Sequence, residues 1–423
     1  MKVLHVLESS IPDTGGYTIR ARAIVDNQRR LGLEPVVVTS PLALVKDRAG
    51  VRLEHYDGVP YYRTNYIPAP SSARSKLSSY ALRLMMLHRY RRAVLEIVRN
   101  ERPDVIHAHS SYSNAYAALP AARRSGLPLV YEVRTLWGES AVVEDGLQPD
   151  SWKYRLIWRL ELGAMRRADL VVPISRGIRD ELLSRGIPAD KLEVVPNGVD
   201  SSRFVPRPRD EDRVRSAGLA GCFVVGFVGS IRKLEGLSTL LEAYAICRTR
   251  RNRIGIVIVG EGPDREALEA QAARLGLAQI LFTGNVPHGD VESWYSIMDV
   301  LVYPRIRAVI NERVTPLKPL EAMALGKVCL VSDVGGLLEL IRDDQTGVVF
   351  RSDDPKDLAA AIIALMDDPA RMQRLAQGGV EFVRRERDWG AIVPRYGELY
   401  ERAIRLRDGG VQASSGAAGG SGA

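Results

Sequence analysis

The side chains best suited to chemistry sit in short strings at the ends of apolar runs. The most informative is Thr315-Pro316-Leu317-Lys318-Pro319-Leu320-Glu321, which opens a helical pattern. Proline near a helix start leaves the first N–H groups free to hold an anion. Lys318 in the first turn opposes the helix dipole unless an anion binds there. Glu321, one turn on, offers paired acceptor oxygens suited to neighbouring ribose hydroxyls. The plain alternative is a capped helix with a surface lysine.

Other strings repeat the theme more weakly. Asp13-Thr14-Gly15-Gly16 follows the first apolar run and opens a helix, so its backbone can approach an anion. Gly229, followed by Arg232 and Lys233, and the Gly260-Glu261-Gly262 turn are placed to let backbone reach a pyrophosphate. None has the GxGxxG spacing of dinucleotide binding. His107 and His109 close another run; His109, the last, is expected at the edge of a cleft, where it can meet a sugar hydroxyl or developing charge. The following run delivers Glu132 and Arg134, an acceptor-side or phosphate contact or else an internal ion pair. Asn197-Gly198 after Pro196 reads as a structural turn.

No zinc pattern, P-loop or nucleophile elbow occurs, and no metal or cofactor is expected beyond a nucleotide-sugar used as substrate. Asp210-Glu211-Asp212 reads as a solvated charge run among arginines. The three cysteines, Cys222, Cys247 and Cys329, lack ligand or disulfide spacing, which makes a reducing, cytoplasmic setting the default. The formal charge of +8 suits phosphorylated molecules, nucleic acid or an anionic membrane. No motif supports nucleic acid, so that partner is not expected. No apolar stretch is long enough to span a bilayer.

The elements that must position these groups follow from patterning. At 423 residues, with roughly 150 per domain, two or three domains are expected. Apolar runs (Val3–Leu7, Val36–Thr39, Asp104–Ala108, Leu129–Val133, Leu170–Ile174) alternate with amphipathic stretches. The alternation restarts with Val224–Val228, Ile254–Val259, Ile280–Thr283, Val300–Tyr303, Val328–Val331 and Val348–Phe350. Strands apolar on both faces and separated by helices imply parallel sheets covered on both sides. The expected class is α/β: two Rossmann-like domains whose parallel sheets face each other across a cleft. The first spans 1–198 on the acceptor side, a linker 199–222, and the nucleotide-sugar-binding domain 223–380. Helices at 381–408 return to the first domain, and 409–423, rich in Gly, Ala and Ser, reads as a disordered tail.

Taken together, Gly15-Gly16, His107-Ala-His109, Ala168–Ser175, Val195–Asp200, Val259–Asp264, Pro319–Gly326 and Gly335-Gly336 make residues 1 to about 405 resemble the family 4 retaining glycosyltransferases of GT-B fold. The opening and the Thr315–Glu321 string are most similar to a bacterial subgroup of exopolysaccharide and exosortase loci. The resemblance implies metal-independent transfer from a UDP- or GDP-sugar, with retention, to a glycan or polyprenyl-diphosphate-linked acceptor. It implies that Glu321 holds the ribose, the preceding turn the diphosphate, His109 the reacting centre and Gly16 the phosphate surroundings. The family's pyrophosphate-gripping Arg and Lys fall here at Ser230 and Glu235, and its paired glutamate at Arg313. Lys318, with Arg313 or Arg232, is expected to supply the missing charge.

Two basic helices carry apolar anchors: Leu82, Leu84, Met85 and Met86 among arginines in Ser75–Arg99, and Trp152, Tyr154 and Trp158 among Lys153, Arg155 and Arg159. Such faces fit either a helix packed on its own sheet or an anionic lipid surface, the latter meaning peripheral attachment to the inner face of the plasma membrane. The rival readings are a nucleotide-sugar epimerase of the same fold and a weakly active partner subunit.

Overall fold

A computed structural model describes residues 1–13, 15–41, 53–64 and 76–418. Thr14, Ser75 and residues 419–423 of the expected tail fall outside that set, as do the side chains of residues 76–82, Leu82 among them.

The first sheet contains β1 (Lys2–Leu7), β2 (Glu34–Thr39), β3 (Leu53–Tyr56), β4 (Val59–Arg63), β5 (Val105–His109), β6 (Leu129–Val133) and β7 (Leu170–Pro173). The second contains β8 (Phe223–Val228), β9 (Ile254–Val259), β10 (Ile280–Gly284), β11 (Val300–Tyr303), β12 (Val328–Ser332) and β13 (Val348–Phe350). The orders are β3-β4-β2-β1-β5-β6-β7 and β10-β9-β8-β11-β12-β13. Every pairing is parallel except β3 with β4. Strand order therefore reverses between β1 and β5 in one sheet and between β8 and β11 in the other. Ligands of open α/β sheets bind outside the carboxyl ends of the strands at such switch points. The edge hairpin β3–β4 was not evident from patterning, because its strands are only four and five residues long and most of their positions are not buried.

In the first domain, α1 (Gly16–Arg30), α2 (Lys76–Glu101), α3 (Tyr112–Ser125), α4 (Trp137–Glu144), α5 (Trp152–Arg167) and α6 (Arg176–Ser184) cover the sheet. Serines start two of them: Ser151 Oγ accepts from the Tyr154 N–H (3.3 Å) and Ser175 Oγ from that of Ile178 (3.2 Å). The stretch 199–222 is more than a connector. Asp210 caps a helix, Glu211–Ser216, and Val214, Leu219 and Cys222 join the second core. The acidic run stays solvent-exposed and paired with neighbouring arginines, as expected, and also starts this helix.

The chain then returns. Trp389, Ile392, Val393, Tyr396, Leu399 and Tyr400 pack on Val3, Val105, Val130 and Val172 of the first sheet. The final helix runs Pro394–Ala418, ten residues past the boundary suggested by composition.

The interdomain cavity and its charged wall

Below the carboxyl ends of β1, β5 and β6 lies a sealed polar network centred on Glu132. Its carboxylate takes Arg20 through Nε (3.1 Å) and Nη2 (3.2 Å), the Arg134 Nε, and the Tyr396 hydroxyl of the last helix. Glu132 is fully buried, and Arg20 is 2% exposed. Burial pushes the Glu132 carboxyl up, but the guanidiniums of Arg20 and Arg134 outweigh it and hold it well below the carboxylate range. Arg20 also donates to the carbonyls of Val195 and Pro196 and to Asn197 Oδ1 (3.1 Å). Asn197 in turn donates to the Thr315 carbonyl (2.8 Å). The Pro196-Asn197-Gly198 turn thus ties the first core to the segment before Lys318.

The histidines belong to this network. A spacing of two puts His107 and His109 on one face, and their rings stack at 4.0 Å. An arginine only donates, so the Arg134–His109 Nδ1 contact leaves the proton on Nε2, which donates to His5 Nδ1 (2.9 Å). His5 Nε2–H then donates to Gln28 Oε1 (2.8 Å), Gln28 to the Tyr400 hydroxyl (2.7 Å), and that hydroxyl to His107 Nδ1 (2.8 Å). Burial lowers His5 to about 4 and His109 to about 3, so both are neutral. The ligand atoms of the three imidazoles lie within 4.8 Å of one another. A cation among them would displace these protons and sit beside a guanidinium, so the cluster is a hydrogen-bonding relay.

Two expectations are therefore corrected. His109 ends β5 but is 1% exposed and committed on both nitrogens, so it does not stand at the cleft edge. Glu132 and Arg134 are an internal ion pair, not acceptor contacts at the surface. The reason is common: strand-end residues point inward when a buried partner awaits them, Arg20 and Tyr396 for Glu132, His5 for His109 and Glu132 for Arg134.

The cleft itself encloses a cavity of about 540 Å³ between the domains. Tyr17, Thr135, Trp137, Ser140, Glu144 and Asp145 form its first-domain wall; Arg232, Glu235, Arg305 and Asn311 are on the other. Arg305 follows β11 by two residues, at the second switch point. Its guanidinium grips Glu235 through Nη2 (3.1 Å) and Nε (3.3 Å). Lys318 also acts on the buried Glu235 carboxyl, as does Arg232; burial raises that carboxyl, and these three cations together pull it below its usual value. Three cations thus surround one carboxylate. The same strand-end position that marks Gly229 could have marked Arg305; Trp137, Glu144 and Asp145 carry no signal in the sequence.

Lys318 begins the helix Lys318–Ala324, and its carbonyl accepts from the Tyr303 hydroxyl (3.1 Å). Its ammonium occupies the space where a Gly229 Cβ would be, 1.8 Å from that point, and Gly229 has φ +152. The bare glycine is what lets Lys318 reach the end of β8. Burial lowers the Lys318 ammonium and Glu235 opposes this. Glu321 is half-buried, its carboxyl raised by burial, and accepts from the Tyr295 hydroxyl (3.4 Å). Neither Lys318 nor Glu321 lines the cavity directly.

The remaining predicted residues are elsewhere. Gly262 and Gly260 permit loop crossing: a Cβ would fall 2.0 Å from the Ile231 carbonyl and 1.9 Å from that of Gly229. Gly15 donates to Asp13 (3.2 Å), closing its own loop. A Cβ on Gly16 would lie 3.8 Å from Leu317, which also packs on the first domain. Thr315 is buried, bonded to Asn197, and Pro316 leads into Leu317, so Thr315–Leu317 form an interdomain seam. Arg313 pairs with Glu181 on α6 (3.4 Å), and Arg232 with Glu144 across the cavity (3.5 Å). Arg313 is thus turned to the domain interface, and Arg305 stands where extra charge was sought.

Two Rossmann-like domains enclosing this cavity define a GT-B protein, the class of the solved structures it resembles. Sucrose-phosphate synthase from Thermosynechococcus elongatus aligns with TM-score 0.75 and 21% identity over 96% of this chain and 99% of that one. Anabaena HepE in complex with UDP aligns with 0.73 and 19% over 95% and 100%. Residues 15–198 match the glycosyl transferase 4-like domain and residues 209–382 the glycosyl transferases group 1. A D-inositol 3-phosphate glycosyltransferase of Thermomonospora curvata is 30% identical, covering 71% of this chain and 72% of its own. A GDP-mannose-dependent alpha-mannosyltransferase of Mycolicibacterium smegmatis is 28% identical over 96% and 99%. The chain belongs to this family of GT-B, family 4-like glycosyltransferases.

Proposed function

We propose that this glycosyltransferase moves a sugar, with retention and without a metal, from a UDP- or GDP-sugar to a hydroxyl of a glycan or lipid-linked acceptor in bacterial surface-polysaccharide synthesis. The observation that carries this is the cluster of cations at the second switch point, where Arg305, Lys318 and Arg232 surround the carboxylate of Glu235 and Arg232 also reaches Glu144. Such a wall suits a leaving diphosphate, whose negative charge grows as the glycosidic bond breaks. Glu321 is offered to the ribose, and the opposite wall presents the acceptor hydroxyl in line. A calorimetric screen of UDP, GDP, ADP and their sugars tests this. Binding of one nucleoside diphosphate in the absence of divalent metal, with sugar transfer, is expected; an unbound panel sinks the reading.

Attachment to anionic lipid is part of the proposal. Leu84 is 70% and Trp152 64% exposed, with Arg83, Arg89 and Lys153 exposed beside them. No described helix is long and apolar enough to cross a membrane. Co-sedimentation with vesicles containing anionic lipid is expected and should weaken with salt. Equal binding to neutral vesicles, or none, counts against it.

A further inference from the structure

The cavity is polarised. Its second-domain wall carries Arg232 and Arg305, whereas the described residues of the first-domain wall include Glu144 and Asp145 and no cation. Two cations touch that wall from outside it, and both are spoken for. Arg134 lies behind the Tyr17 ring, 6.0 Å from its centre, bound to Glu132. Arg232 reaches across to Glu144. Glu8, just past β1, acts on Tyr17 as a further negative charge. A phosphorylated group brought to this wall would meet like charge, which costs binding and rejects wrong partners.

The same wall has features that fit a neutral sugar. The rings of Tyr17 and Trp137 lie nearly parallel, 14° apart at 6.3 Å, and offer apolar faces for the C–H side of a pyranose. Hydroxyls of Thr135 and Ser140 and the two carboxylates offer acceptors for sugar hydroxyls.

We propose that this wall is the acceptor subsite, and that it takes an uncharged, polyhydroxylated ring and turns away a phosphorylated one. This rests on the transferase reading above, and it separates this chain from a relative named for inositol 3-phosphate. The donor's own sugar is the competing occupant; it is tethered to the diphosphate and so sits against the cationic wall.

The test uses the full chain with saturating UDP or GDP, whichever binds. Saturation-transfer NMR compares methyl glucoside and methyl mannoside with their 6-phosphates, and myo-inositol with inositol 3-phosphate. The neutral member of each pair should bind about tenfold or more tightly. In a Glu144→Gln/Asp145→Asn double variant that preference should shrink to about twofold, while nucleoside diphosphate binding confirms an intact second domain. Preference for the phosphorylated members, binding of neither, or discrimination unchanged in the double variant would overturn the proposal. So would a variant effect confined to nucleotide-sugar over free nucleotide, since that places the donor sugar on this wall. Loss of nucleotide binding by the unmodified protein is the distinct result that overturns the transferase reading itself.

Discussion

Replacing Lys318 by alanine is expected to lower kcat/KM for sugar transfer by a hundredfold or more, about 3 kcal/mol of transition-state stabilisation. The ammonium is lodged over Gly229, where even a Cβ would collide with it, and 5.3 Å from the Phe227 ring. Among the described residues it makes no salt bridge that the fold would miss, so thermal stability should change little while nucleoside diphosphate affinity falls. Glu235→Gln supplies the opposite sign. Neutralising the one carboxylate among Arg305, Lys318 and Arg232 leaves the wall more positive, so the diphosphate should bind more tightly. Steady-state kinetics and calorimetry on both variants read the pair. If Lys318→Ala left affinity and turnover at wild-type levels, the charged wall would not be the diphosphate site.

Glu132→Ala should act on the fold rather than on the reaction. It strands the buried guanidinium of Arg20 and that of Arg134 and removes the Tyr396 anchor of the last helix. Losing one partner of such a buried set costs about 3–5 kcal/mol. Denaturant unfolding followed by far-UV circular dichroism measures this; a loss under about 1 kcal/mol would show that the network adds little. The pH dependence has a definite sign. The folded carboxyl lies well below its ordinary value of 4.5, so its stabilisation is present above that value and is lost as pH falls toward the folded one. Wild-type stability should decline below about pH 4.5, and Glu132→Gln should show a flatter acid limb.

The elements that hold the site were legible in outline because each strand is apolar on both faces and each is followed by a helix. Most strand candidates differ from the observed ones by a residue or two, and the two switch points follow from their order. The partly buried hairpin β3–β4, the short helix α4 and the helix inside 199–222 were missed, since short or half-exposed segments carry little periodicity.

Residue order alone determined that parallel strands end in glycine turns and that Lys318 and Glu321 open a helix behind the Thr315-Pro316-Leu317 turn. Tertiary structure decided which strand-end side chains face a ligand. Glu132 turns inward because Arg20 and Tyr396, the latter 264 residues away in sequence, meet it in the core, and His109 and Arg134 follow because His5 and Glu132 hold them there. Arg305 is part of the cavity because its strand neighbours β8, so a guanidinium with no motif around it lands beside Glu235. Strand position can be read locally; the partner that fixes a side chain's direction is a long-range contact, made only when the chain folds.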